Sequence, residues 1–481
     1  MGTLFGTLNN SLDAIEAFQT ALNVSQNNVS NASTPGYARQ VATLDALPFD
    51  PSEGVTGGVR AGPSQSTQDE YVNQAVNSQV SQQGNFTAQS SALAAIQGLF
   101  DVSGQSGVVG NLNQLFQSFS AWAATPGSAS AQQGVLTAAQ ELSQGFQSTA
   151  ASLYQTTIQL NQQISSTVQQ INQIASQIQA ENVAILQNPD PAGGVNAGLD
   201  AQLHASIQSL SQLGDVSVTY APDGTATVLL GGQTPLVIGA QQNSIQTNFS
   251  NTTAATYPGG VPNVQILDAN GQDITGQISQ GTLGGLLNVR NGVLPGLQGS
   301  TQQVGSLNQL AQQVADRVNA ILTAANTPTG AAGSPLFAYN HSTPTDVAST
   351  LTVDPNITAS TLAPADPGPP PVSNGAALTL SNLGQSTAVS DEIAGRPILQ
   401  FLSSITTQVG QKASDAQTGQ NLASQSLAQA QAVQTQISGV SLDAEAINVM
   451  ELQKGYQAAG QMVNVIDSLA STLLNMIPVT A

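Results

Sequence analysis

Cysteine is absent from this 481-residue chain. That rules out disulfides, thiolate nucleophiles and thiolate metal sites. It is compatible with a protein exported unfolded, where stray thiols are a hazard. Positive charge is scarce, with 7 Lys and Arg against 27 Asp and Glu and a formal net charge of −20. Phosphate neutralisation needs clustered Lys and Arg, so no nucleic acid partner is expected. The same balance disfavours an anionic membrane surface. No apolar run approaches the roughly 18 residues of a membrane span. The first basic residue is Arg39, and Asp13 and Glu16 interrupt the first apolar stretch. The N-terminus therefore lacks the charged n-region of a cleaved secretory signal. Only two histidines occur, His204 and His341, far apart. Both read as structural or solvent-facing, so no metal and no cofactor are expected.

What fills the chain instead is uncharged. Charged residues make up 7%, far below the roughly 25% usual for soluble domains, while 40% are apolar. Gln, Asn, Ser and Thr take the polar positions. Such surfaces repel one another weakly, which favours close packing between subunits. The length predicts two to four domains.

Residues 3–32 read as one amphipathic helix. Leu8, Ile15, Leu22 and Val29 recur every seven residues, and Leu12 and Phe18 widen the stripe. Thr34-Pro35-Gly36 ends it. Near the other end, Leu452, Tyr456, Ala459, Val463, Ile466, Ala470, Leu473 and Ile477 alternate steps of four and three. That is a coiled-coil seam, stopped by Pro478. Asp443 and Glu445 stand near its start, where carboxylates suit a helix N-terminus better than an acid/base pair. A third heptad run carries Leu153, Leu160, Ile164, Ile171, Ile174, Ile178 and Ile185 over residues 152–187. Further helices are predicted at 69–99, 108–124, 130–150, 300–325 and 391–437. Trp122, the only tryptophan, lies near Phe116 and Phe119 and reads as core.

Between 215 and 275 the period changes to two. Val216, Val218 and Tyr220 alternate with polar residues, Pro222-Asp223-Gly224 turns, and Thr225, Thr227 and Leu229 return. Val264 and Ile266, Asn270-Gly271 and Ile274 suggest a second hairpin. Residues 326–390 are rich in Pro, Gly, Ser and Thr. Pro367-Gly368-Pro369-Pro370-Pro371 reads as a stiff exposed linker, with short strands near Leu351 to Val353. Gly231-Gly232 and Gly284-Gly285 are not phosphate loops, because no Lys-Ser or Lys-Thr follows.

The expected fold is mainly α with β inserts: terminal coiled-coil helices, an elongated helical-bundle body and a small β-rich inserted domain. The expected partition is a terminal assembly domain, 1–45 with 440–481; a helical body, 46–209 with 276–325 and 391–439; a β domain, 210–275; and a Pro/Gly-rich segment, 326–390. Two helices alone enclose little core and are marginal without a partner. The termini are therefore expected to be frayed in the lone molecule and ordered in an assembly.

Residues 21–40, ALNVSQNNVSNASTPGYARQ, and 438–477, SGVSLDAEAINVMELQKGYQAAGQMVNVIDSLASTLLNMI, resemble the N- and C-terminal signatures of the flagellar rod, hook and hook-associated axial proteins. Interior segments around Trp122 and around TLGGLLNVRNGVLPGLQ are similar to the helical body of the hook-associated members at the hook–filament junction. The resemblance implies a structural, non-enzymatic adaptor at that junction. Implied partners are copies of itself, the hook protein, a second junction protein or filament subunits, and an export chaperone. It also implies an extracellular location, reached through the flagellar type III apparatus without a cleaved signal. The expected assembly interface is Leu8, Leu12, Ile15, Leu22, Val29, Tyr37, Arg39, Leu452, Tyr456, Val463, Ile466, Leu473 and Ile477. Tyr37 and Arg39 could equally be a surface loop residue and a solvated charge. Two alternatives stand: a hook or distal rod protein of the same family, or an enzyme or carbohydrate-binding module in the β insert, built on Asp215, Asp223, Asp268 and Asp273 with His204 at its boundary. Removal of 210–275 is expected to leave assembly largely intact.

Overall fold

A computed structural model describes residues 2–50, 55–100, 107–189, 195–250, 255–257 and 259–475. It is 64% helical with small inserted sheets, a mainly α protein. The helices are α1 (Gly2–Asn31), α2 (Glu70–Gln97), α3 (Gly107–Ala124), α4 (Ala129–Gln187), α5 (Ala197–Leu213), α6 (Gly281–Leu287), α7 (Leu294–Gln298), α8 (Ser306–Ala324), α9 (Val347–Thr350), α10 (Gly375–Asn382), α11 (Ile398–Ser438) and α12 (Leu442–Asn475). The strands are β1 (Gln40–Asp50), β2 (Val55–Ser66), β3 (Val216–Tyr220), β4 (Ala226–Leu230), β5 (Thr234–Ile238), β6 (Gln241–Gln242), β7 (Gln246–Asn248), β8 (Gln265–Leu267), β9 (Phe337–Ala338) and β10 (Thr352–Val353). Two helices predicted on either side of residue 151 are one. At 59 residues, α4 is about 90 Å long. No proline interrupts it, and its heptad Leu153, Leu160, Ile164, Ile171, Ile178 and Ile185 is buried.

The chain divides into two compact units. The first holds residues 1–81, 170–244 and 423–481. Its most local element was not predicted: β1 and β2 form a long antiparallel hairpin where a helical body was expected from residue 46 onward. The pattern hid it, because Pro48, Gly57-Gly58 and Pro63 break the alternation and Val41 and Leu44 are exposed rather than buried. The first unit also holds the antiparallel sheet β3-β4-β5-β6. The predicted hairpin is there, with Val216 opposite Leu230 and Gly224 in the left-handed turn at φ +84°. The buried side of this region is Leu203, Ile207, Leu210, Val228, Leu230 and Leu236. Asn182 of α4 is fully buried against the sheet. Its amide donates to the carbonyls of Ala226 and Gly239 at 2.8 Å, and its oxygen accepts from Ala226 N at 2.9 Å. His204 stacks on Tyr220 with ring centroids 5.0 Å apart.

The second unit holds residues 82–169 and 245–422. The single β domain expected at 210–275 is therefore divided. β3 to β6 belong with the chain ends, while β7 pairs with β8 in the second unit. The Asn270-Gly271 turn is present, closed by Gly271 N donating to Asp268 O. Trp122, Phe119, Phe146, Leu112, Leu115 and Leu142 are fully buried here. Arg290 lies on a π-helical turn and is 2% exposed. Its Nε donates to Asn161 Oδ1 at 2.8 Å and its Nη2 to Pro262 O at 2.9 Å. Burial pulls its pKa down to about 10.

The proline-rich segment is not an open linker. Asp366 and Val372 exchange backbone hydrogen bonds at 2.8 and 3.0 Å, closing the Pro367–Pro371 loop on itself. Asn326 pairs with Ala365, and α10 packs on α3 and α8. The short strands expected near 351–353 exist as β10 on β9. Proline content reported the absence of helix correctly, but not the backbone closure that ties the loop down.

Trp122→Ala is expected to destabilise the protein by about 3–5 kcal/mol, from lost packing and the cavity left behind. Its Nε1 has no hydrogen-bond partner, so no polar contact is forfeited. Trp122→Phe should cost less. The denaturant midpoint at constant m-value checks both.

Candidate assembly interface

α1 and α12 lie side by side and antiparallel. Ser25 meets Glu445, and seven residues earlier on α1, Phe18 lies against Gly455. Apart from Phe18, the inward face of α1 is built from small or polar side chains. Ser11, Ala17, Ala21, Ser25 and Asn28 are buried. Small residues let two helix backbones approach closely, which favours contact along a short, shallow face. The hairpin covers a neighbouring face of α1, where Gly58 comes against Asn10.

At the base of the pair sits a polar clasp. The Glu445 carboxylate, 1% exposed, accepts from Ser25 Oγ and from Arg39 Nε, the latter at 2.7 Å. Arg39 is tied down through its backbone as well. Its N donates to Ser438 O at 2.9 Å, and its carbonyl accepts from Thr67 N and Oγ1 at 2.9 and 3.0 Å. Ser438 Oγ donates back to Thr67 O at 3.1 Å. Asn28 bridges the helix to the hairpin. Its amide donates to Gln40 O and its oxygen accepts from Gln40 N, both at 2.8 Å, and Tyr37 OH donates to the same oxygen at 2.9 Å. Gly36 completes the turn at φ +77°, where a Cβ would stand 2.4 Å from Ala201 O, so only glycine fits.

Burial raises the Glu445 pKa, but hydrogen bonds from Ser25 and Arg39 and the Arg39 charge outweigh it and hold the carboxyl below its ordinary value of 4.5. Burial, helped by the Glu445 charge, pushes the Tyr37 phenol up to about 12. Arg39 thus contacts the chain's own other end, while Tyr37 bonds Asn28 of α1 and feels the Glu445 charge.

The other expected interface residues divide into three groups. Glu445, Leu452, Ala459 and Ile466 follow one another every seven residues, so the α12 seam turns toward α1. Ile466 is buried by the chain itself and is not free for a neighbour, a correction to the expected interface. Leu452 and Val463 are half-buried, and Tyr456 is 39% exposed. On α1 the inward row is Ser11, Phe18 and Ser25. The predicted row Leu8, Ile15, Leu22 and Val29 lies beside it. Leu8, Ile15 and Leu22 are half-buried, Leu12 is 48% exposed and Val29 is 42% exposed. The Leu473 side chain and all of Ile477 lie outside the described residues, as does Pro478.

The seam pattern missed the apolar residues that α12 leaves open: Ile447, Met450, Met462, Val465 and Leu469 are each half or more exposed. They share one side of the helix at 3.6 residues per turn, about a third of a turn from the Glu445–Ile466 row. The Leu8–Leu12–Ile15–Leu22–Val29 stripe stands about a sixth of a turn from the inward row of α1. Because the helices are antiparallel, these two stripes face opposite sides of the pair. A scan for apolar residues outside the heptad grid finds the second stripe.

The carboxylates named for the β insert do not come together. Asp223 accepts from Thr225, Asp268 from Asn270 and Gln272, and Asp273 from Thr275, all within tight turns. Asp215 and Asp223 fall in the first unit, Asp268 and Asp273 in the second. Among the described residues no group of three or more His, Cys, Asp or Glu is placed to hold a metal ion. No helix among them is long and apolar enough to cross a membrane.

Residues 93–337 match the flagellar hook-associated protein FlgK helical domain, and 429–476 match the flagellar basal body rod FlgEFG protein C-terminal region. The chain is 25% identical over 535 aligned positions to flagellar hook-associated protein 1 of Bacillus subtilis (strain 168), with 99% of each chain covered. It is 25% identical to flagellar hook-associated protein 1 of Escherichia coli (strain K12), over 69% of this chain and 59% of that one. In fold it is similar to the flagellar hook junction protein FlgK from Burkholderia pseudomallei, at a TM-score of 0.61 and 16% identity, covering 76% of this chain and 100% of that one.

Two outcomes test the clasp. Glu445→Ala removes charged hydrogen bonds and is expected to cost about 2 kcal/mol of local stability, seen as faster amide exchange over residues 25–40. The Glu445 pKa is lower folded than unfolded, so its stabilisation is complete above pH 4.5 and lost as pH falls through the folded value. Amide exchange in the same segment should accelerate below that pH, and less so in Glu445→Gln.

Proposed function

This chain belongs to the family of the flagellar hook-associated protein FlgK, and we propose that its two ends form the domain through which copies assemble. The protein is a structural component of the bacterial flagellum, acting at the hook–filament junction. Its relatives are structural flagellar proteins. The observation that carries the assembly reading is the antiparallel pairing of α1 with α12, which leaves one apolar stripe open on each side.

The assembly domain, expected at 1–45 and 440–481, extends through the β1–β2 hairpin to about residue 70, since the clasp runs through Thr67. A stripe on one side and a different stripe on the other suit a heterologous contact, in which each copy offers α12 residues to the α1 residues of the next. Such contacts propagate along a tube instead of closing a dimer. Each half-exposed Leu, Ile, Val or Met that becomes covered contributes about 1 kcal/mol. With only 7 cations in the chain, ion pairs add little. The helical body meets hook protein on one side and the second junction protein or filament subunits on the other. Before assembly the chain leaves the cell through the flagellar type III apparatus, escorted by a chaperone and without signal cleavage, and acts outside the cell. No step requires catalysis or a cofactor.

Deleting residues 1–35 or 445–481 should leave a soluble helical body that no longer caps purified hooks. A sharper test introduces Met462→Glu together with Val465→Glu. Hook capping should fall at least tenfold, while the thermal midpoint stays at the parent value, because both side chains are exposed in the lone chain. Undiminished capping by this variant would rule the interface out. Removing residues 210–275, once expected to be harmless, should now impair assembly, because β3–β6 share a compact unit with the chain ends.

A further inference from the structure

The contact between α1 and α12 is poor in apolar packing. Among the described side chains of α12, only Glu445 and Ile466 are buried. The facing row of α1 is Ser11, Phe18 and Ser25, flanked by Ala17 and Ala21. Apart from Phe18, which lies against Gly455, the small side chains of α1 facing a heptad of Leu452, Ala459 and Ile466 would pack almost equally well after a slide of one heptad. The row has one member that would not. Glu445 is buried and acidic, and only one register sets its carboxylate against Ser25 Oγ and Arg39 Nε together. A polar residue buried in a coiled-coil seam specifies register at some cost in stability.

We infer that Glu445 is a positioning residue: with Ser25 and Arg39 it fixes the register of α1 against α12, and thereby aligns the two outward stripes for neighbouring copies. The inference rests on the assembly reading above but is tested separately from it. Register is a geometric property of the single chain. It is also distinct from stability, since replacing a whole buried ion pair with apolar side chains of similar size is often neutral.

The experiment uses the full chain, whose lack of cysteine makes site-specific labelling clean. Nitroxide labels go on Gln19→Cys and Gln453→Cys, two exposed positions on the paired helices, and pulsed electron resonance reads their separation. The parent should give one narrow distance. R39M/E445M should keep its helix signal and its thermal midpoint within a few degrees. Its label distance should split or shift by about 5–10 Å, one turn to one heptad, and hook capping should drop at least tenfold. A folded R39M/E445M that keeps the parental distance would overturn the inference. If that variant loses its helix signal, E445Q is read the same way, and loss of structure in both would make the clasp a stability element, again overturning it. A parent that shows one narrow distance yet never caps hooks would count against the assembly reading alone.

Discussion

The carboxylate of Glu445 is the point on which the ends of this chain depend. It is buried, it carries charge, and its partners come from the far N-terminal side of the sequence, Ser25 on α1 and Arg39 just beyond the turn. A buried charge in such a place is costly unless its hydrogen bonds are met. Meeting them forces the turn at Gly36, the Arg39 backbone and the start of α12 into one arrangement. Thr67 and Ser438 extend the same constraint to the foot of β2 and the end of α11. Apolar burial, which usually dominates folding, is thin here, so polar geometry settles the local structure.

That division of labour separates the first unit from the second. In the second, Trp122, Phe119, Phe146 and the leucines around them form an ordinary close-packed interior. Even there a polar exception occurs, since Arg290 is buried with an amide and a carbonyl for partners and no carboxylate among its hydrogen bonds. In the first, the terminal helices keep much of their apolar surface outward. That outward apolar surface is what the proposed assembly would cover.

How much of this was readable from sequence follows from the kind of interaction involved. Helices resting on heptads, such as α4 with Leu153 to Ile185, declare themselves because periodic burial is written in residue type. The β3–β4 hairpin was legible for the same reason, with period two and a Pro-Asp-Gly turn. The β1–β2 hairpin was not, because Val41 and Leu44 are exposed and Pro48 and Pro63 read as breaks. The closed loop at 366–372 depends on backbone hydrogen bonds, which leave no mark in composition. The clasp was half visible. Arg39 drew notice because arginines are few, but Glu445 looked like a helix-start charge, since pairing across 406 residues cannot be read from local pattern. The seam itself misled, because a regular heptad marks a helix that packs without saying whether the partner is its own chain or another's.

The inward face of α1 has one further consequence. Apart from Phe18, its residues are Ser, Ala and Asn, while the row beside it is Leu, Ile and Val. Over evolutionary time these two faces should tolerate opposite kinds of change. The outer row can exchange one aliphatic for another with little harm, because no close backbone contact constrains its size. The inner row can hardly grow at all, since each added methylene would pry the backbones apart and pull Ser25 out of reach of the acid it serves. The thinness of the helix pair is therefore the trait under tightest restraint, more so than its hydrophobicity.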